Sequence, residues 1–341
     1  MTPPVSRPPF RPGKPLSPSD DATRATHADA ARAAPYADSV SESRRGFVYG
    51  LVAYTLWGAF PLYFPLLKPA GAIEILANRV LWSFLVMGAL VLVTGRVPQF
   101  RALFGRSRAT AMLSIAAVVV SINWLTYIWS VTNDHVVESS LGYFINPLVT
   151  VVMGILILGE RLRPAQWVAI SLAFVAVVVL TVEYGRLPWI ALLLAFSFGT
   201  YGLAKKVANV GAVESLAFET MLITPAALTY VVWLGAQGSL TFAQEGPGHA
   251  LLLASTGIAT AVPLILFGAA ATKIPLVTIG LLQYLAPVFQ FLLGVFWFHE
   301  PMPVGRWVGF LLVWVALAML TAEAVTHHRR QLRDAAEATA L

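Results

Sequence analysis

From Gly46 onward the chain alternates apolar stretches of about 20 residues with short breaks built from Gly, Pro and charged residues. At 1.5 Å per helical residue, each stretch can cross a hydrocarbon layer of about 30 Å. The pattern predicts ten spans, near 46–67, 72–94, 109–131, 135–158, 164–182, 187–206, 212–235, 249–271, 276–297 and 304–323. The breaks carry helix-stopping chemistry: Lys68-Pro69-Ala70-Gly71, Gly159 to Pro164, Gly185 to Pro188 and Gly246-Pro247-Gly248. Asp134 stands where an N-cap of the fourth span belongs. Residues 1–45 are rich in Pro, Ala, Ser, Arg and Asp and contain no apolar run. Such a segment cannot build a core, and it lacks the apolar h-region of a signal peptide, so a disordered tail is expected.

The pattern repeats. LGYFINPLVTVVMGILILGERL at Leu141–Leu162 returns as LLQYLAPVFQFLLGVFWFHEPM at Leu281–Met302. At that offset of 140 residues Pro147 falls on Pro287, Gly154 on Gly294, Glu160 on Glu300 and Trp167 on Trp307. AIEILA at Ala72–Ala77 falls on AVESLA at Ala212–Ala217, so Glu74 meets Glu214. One offset held over so long a stretch reads as two copies of one unit. Five spans per copy leave the second upside down relative to the first, which makes this an inverted repeat. The expectation is an all-α polytopic membrane protein with ten transmembrane helices as two five-helix inverted repeats. It divides into a tail at 1–45, repeats at 46–183 and 186–325, and a second tail at 326–341. Spans 5 and 10 are the least polar, which suits lipid-facing flanks or homodimer contacts.

Composition agrees. Residues are 57% hydrophobic and 12% charged, mean hydropathy is +0.72, and soluble domains carry about 25% charged residues. Cysteine is absent, which excludes disulfides and thiolate metal sites. The net charge of +6 does not point to nucleic acid, because the basic residues segregate by side. Nineteen Lys and Arg fall in the two tails, in the loops after spans 2, 4 and 8 and at the end of span 6; the opposite side holds Lys68, Arg186 and Arg306. By the positive-inside rule both termini are cytoplasmic, and the expected location is the cell (inner) membrane.

One basic residue remains, Arg79, inside span 2. An Arg at the centre of a membrane helix costs about 2.5–3.5 kcal/mol to insert, so something must compensate it. It can snorkel to the interface, about seven residues away, or line a polar cavity. Its mate at the 140-residue offset is Glu219, but each lies about 10 Å in from its own face, which favours a shared wet cavity over a direct pair. Glu138, in the first turn of span 4, suits the helix dipole; with Glu219 it is the candidate for carrying coupling protons. Glu74 and Glu214 sit at span ends, and Glu160 and Glu300 read as ordering the turns into the following spans. Asn123, Trp124 and Tyr127 in span 3, Tyr143 and Asn146 in span 4, Tyr201 and Lys205 in span 6 and Gln283, Tyr284 and Gln290 in span 9 recur on inner spans. Asn123 and Tyr127 share a face at i,i+4, and Gln283 and Gln290 at i,i+7. Singly, such residues serve as helix–helix hydrogen bonds. As a set, Arg79, Asn123, Tyr127, Tyr143, Asn146, Tyr201, Gln283 and Tyr284 fit the wall of a substrate cavity. Pro61, Pro147, Pro263 and Pro287 fall inside spans and should bend them.

RRGFVYGLVAYTLWGAFPLYF, AIEILANRVLWS, SINWLTYIWSV and LGYFINPL together resemble RarD-type permeases of the EamA branch of the drug/metabolite transporter superfamily. The endings Glu160-Arg161-Leu162 and Glu300-Pro301-Met302 are similar to the end of the EamA domain's fourth helix. The resemblance covers residues 46 to about 325 and leaves the first tail unmatched. It implies ten helices, both termini inside, a central cavity and alternating access, and the family is associated with chloramphenicol resistance. No substrate-contact residue is carried over from it.

These readings converge on a secondary transporter exporting small organic metabolites or drugs, with a small-molecule substrate, membrane lipids as its surroundings and no cofactor. No GxxxxGK[ST] loop is present, so ATP hydrolysis by this chain is not expected. A channel or a non-transporting sensor is the alternative. A membrane-embedded lipid-modifying enzyme is disfavoured, because no DxxxD, HxxxH or HExxH is present to place a metal or paired carboxylates.

Overall fold

The computed structural model describes residues 42–158 and 163–340. The expected disorder of the first tail and the role read for Glu160 therefore lie outside the described residues. Among these there is no strand. Nine helices are long and apolar enough to cross a membrane, and one bent pair makes a further span.

That bent pair is the first. Helix α1 (Glu42–Gly58) turns by 43° into Phe60–Leu67, with Pro61 in the first turn of the second piece. Proline suits that position, where its missing N–H has no helical acceptor. Then come α2 (Ala72–Val93), α3 (Ser107–Thr132), α4 (Val136–Leu158), α5 (Pro164–Tyr184), α6 (Trp189–Ala208), α7 (Ala212–Ala236) and α8 (Gly246–Ala271). The ninth span, α9, is broken into Leu276–Leu282, Leu285–Leu292 and a π-helical turn at Leu293–Trp297. α10 runs from Val304 to Ala340.

Two local expectations change and two details are added. Gly246-Pro247-Gly248 opens α8 instead of preceding it, because Pro247 falls in the first turn. Asp134 is not the cap of α4: its backbone is left-handed, at φ +59°, and the cap comes from elsewhere. α10 continues as helix through the segment expected to be a second tail. Pro225 is a further proline inside a span, in α7.

α2 packs on both α7 and α8, and α6 on both α3 and α4. α2 with α7, α4 with α9 and α5 with α10 are each packed together, and each pair joins members of one 140-residue offset. That arrangement is compatible with two inverted halves. Glu74 of α2 accepts from Thr241 N, Thr241 Oγ1 and Phe242 N, in the loop after α7, at 2.9, 2.9 and 3.3 Å. Its mate Glu214 of α7 pairs at 2.9 Å with Arg96, in the loop after α2. The two glutamates thus perform one task at opposite ends of the bundle. α5 and α10 pack on each other at the flank, leaving Phe174, Val178, Val182, Val304, Leu311 and Val315 exposed.

Candidate functional site

Arg79 is buried, only 5% exposed, on the face of α2 that meets α8. Its guanidinium lies 4.2 Å from the ring centre of Trp124, with the Phe60 and Phe64 rings at 5.5 and 5.9 Å. Its Nε–H donates to Thr260 Oγ1 of α8 at 2.9 Å. Among the described residues this is its one hydrogen bond, and no carboxylate lies within ion-pair distance. A desolvated cation–π contact is worth about 2 kcal/mol and a hydrogen bond to a charged group about 1.5 kcal/mol or more. Together they match the insertion cost of about 3 kcal/mol. Rings and one hydroxyl therefore hold the charge in place without neutralising it.

α8 can come this close because of Gly257, one turn before Thr260. A Cβ there would lie 2.5 Å from the carbonyl carbon of Trp82 and 2.6 Å from its oxygen. Small residues permit such approaches between membrane helices.

Around the guanidinium the site is aromatic. Phe64 stacks edge-on against Tyr127, Tyr127 against Tyr143 and Tyr143 against Phe198, with ring centres 5.9, 5.6 and 6.1 Å apart. Phe198 adjoins Tyr201 at 5.9 Å. Tyr143 donates to Asn123 Oδ1 at 3.3 Å, and Asn123 Nδ2 donates to Leu194 O and Ser197 Oγ of α6 at 3.1 and 2.9 Å. Tyr63 is 2.7 Å from Ser255 Oγ of α8 and donates to Leu252 O at 3.0 Å. The buried Tyr127 hydroxyl and Asn146 Oδ1 have no hydrogen-bond partner among the described residues. Arg79, Asn123, Tyr127 and Tyr143 are thus one contiguous cluster.

The ring line ends at the second charged cluster. Glu219 of α7 pairs with Lys205 of α6 at 2.8 Å and accepts from the Tyr201 hydroxyl at 3.2 Å; Lys205 also donates to Ser215 Oγ. Glu219 therefore has its own counter-charge, and it does not pair with Arg79.

The other candidates lie apart. Glu138 pairs with Arg186 at 2.7 Å and accepts from Ile190 N at 3.3 Å, so it fixes the start of α6. Tyr284 faces a groove of about 560 Å³ between α4, α9 and α10, with Phe144, Trp314 and Thr321. Gln290 donates to Trp57 O of α1 at 3.2 Å. Gln283 and Gln290, expected on one face, fall on separate pieces of α9, Gln283 just after Leu276–Leu282 and Gln290 within Leu285–Leu292. Phe60, Tyr63, Phe64 and Thr260 are site residues that the sequence reading missed. Phe60/Phe64 and Thr256/Thr260, each at i,i+4, are the signals that could have found them.

Glu300 does more than order the turn into α10. Its carboxylate accepts from Val136 N and Val137 N at 2.5 and 2.9 Å, capping α4 from across the bundle. Gly294 sits against Val137, where an added Cβ would meet Val137 Cγ2 at 2.7 Å. Burial pushes the Glu300 carboxyl up to about 7, against the lowering effect of the two amides. The native state therefore holds this proton more tightly than the unfolded chain does. Its contribution to stability is full below about pH 4.5 and is lost as pH rises through 7. Glu300→Gln, which keeps one acceptor oxygen, is expected to flatten the fall of melting temperature between pH 5 and 8. An unchanged slope would remove Glu300 as its source.

A bundle of long apolar helices around a buried, unneutralised cation is a multi-pass membrane protein. The EamA-like transporter family model matches residues 44–182 and again 187–322, so the chain belongs to that family. Protein RarD of Streptomyces exfoliatus is 59% identical over 290 residues, covering 85% of this chain and 92% of that protein. Protein RarD of Escherichia coli is 41% identical over 289 residues, covering 85% and 98%. The chloramphenicol-sensitive protein RarD of Pseudomonas aeruginosa is 30% identical over 296 residues, covering 85% and 98%. A solved crystal structure superposes with a TM-score of 0.54 at 18% identity, covering 82% of this chain and 98% of that one; it shares the fold. The chain is thereby a RarD-type permease.

Proposed function

We propose that the protein is a secondary transporter of the cell inner membrane, without enzymatic activity, that exports small organic metabolites or drugs by alternating access. Its working halves are 46–183 and 186–325, inverted relative to each other, with both termini in the cytoplasm. The carrying observation is where Arg79 sits. Its rings come from α1 and α3 and its hydroxyl from α8. A site shared by both halves changes its access when the halves rock against each other. The Lys205–Glu219 pair, at the far end of the ring line, supplies a titratable group for coupling to protons or counter-substrate. Counterflow in proteoliposomes tests this: solute preloaded on one side should drive uptake of tracer against its gradient. A channel or a sensor gives none.

Orientation has its own test. With no native cysteine, a cysteine at Ser107 is expected to resist an impermeant maleimide in intact cells, and one at Gln237 to react. Labelling at position 107 from outside would invert the topology.

A further inference from the structure

We infer that the substrate is an organic anion, its carboxylate taken by the guanidinium of Arg79. This rests on the transporter reading and narrows it to a class of solute. Three observations carry it. The first is charge. Lys205 is matched with Glu219, Arg186 with Glu138, Arg96 with Glu214 and Arg163 with Glu323. Arg79 is more buried than any of these four basic partners, yet no described carboxylate faces it. These four basic residues are thus balanced inside the protein, and Arg79 is left to be balanced by what binds.

The second is geometry. Thr260 occupies Nε, and the Trp124, Phe60 and Phe64 rings pin the guanidinium. The Nη1 and Nη2 hydrogens make no bond to a described residue, and together they form the planar edge that takes a carboxylate with two parallel hydrogen bonds. The third is the wall. The Tyr127 hydroxyl is buried among the same rings without an acceptor, so it can add a third donor to the anion. Tyr63, Phe64, Tyr127 and Tyr143 pack ring to ring at the same place, surroundings that suit an organic anion over an inorganic one. A cationic solute would face an unscreened like charge, and a neutral one would leave the guanidinium unbalanced.

The experiment uses the full chain in proteoliposomes loaded with the small-molecule fraction of a bacterial lysate. Losses that depend on the protein are read by mass spectrometry. Benzoate, benzamide and benzylamine serve as inhibitors of matched shape and differing charge. Carboxylates are expected to leave at least ten times faster than from vesicles carrying Arg79→Gln, whose folding is checked by its melting temperature. Benzoate should slow that loss, while benzamide and benzylamine at the same concentration should not. Protein-dependent loss confined to neutral or cationic solutes, or equal inhibition by benzamide, overturns the anion while leaving a transporter. No protein-dependent loss of any solute overturns both.

Discussion

Arg79→Ala is expected to lower transport about a hundredfold at unchanged membrane protein level. The size follows from losing a bidentate charged contact to the solute, about 3 kcal/mol at about 1.4 kcal/mol per tenfold. Protein level should hold because two effects of similar size oppose each other. Alanine forfeits the cation–π contacts and the bond to Thr260, about 3.5 kcal/mol together, but relieves an insertion cost of about 3 kcal/mol. Arg79→Lys keeps the charge and loses the planar fork and the stacking on Trp124, so it should fall between the two. An Arg reaching only for the interface would give the reverse order, with Lys active and Ala little impaired. Transport by Arg79→Ala near the wild-type rate would remove this residue from the site.

Gly257→Val should damage the same site from a distance. Its side chain would press on the backbone of Trp82, which has no rotamer with which to yield. Overpacking of this kind costs about 1–3 kcal/mol. Moving α8 outward by about 1 Å would stretch the 2.9 Å bond from Arg79 to Thr260 beyond hydrogen-bonding range. Both melting temperature and transport should therefore fall. Gly268→Ala on the same helix is the control, because the nearest atom to its added Cβ is 3.9 Å away. If Gly257→Val melts and transports like wild type, the close approach of α2 and α8 does not hold the site together.

The sequence exposed what depends on local pattern. Span length, side asymmetry and the isolation of Arg79 among apolar neighbours need no knowledge of which helices touch. Asn123, Tyr127 and Tyr143 were legible because polar and aromatic residues on an inner helix have few other places to go. What escaped depends on pairing across the bundle. Thr260 is 181 residues from Arg79, and Glu300 is 164 residues from the amide it caps. A spacing such as Thr256/Thr260 marks a polar face, but nothing in either segment alone says which residue that face meets. That Arg186, from the loop before α6, would pair with Glu138 was equally invisible from span 4 alone. Tyr284 meets the groove beside α10 and not the Arg79 cluster, a placement that depends on which helices flank α9.

The length of α10 has a practical consequence. Its 37 residues span about 55 Å, against a hydrocarbon thickness of about 30 Å. The excess, about 25 Å and nearly half of the helix, extends past the span as a mast. An ion pair between Arg163 and Glu323 moors its base to the start of α5. A fluorophore attached near Ala340 would be held about 25 Å above the hydrocarbon edge. It would swing through an arc magnified by that lever whenever α5 and α10 tilt, so a few degrees of rocking at the membrane becomes ångströms of travel at the tip.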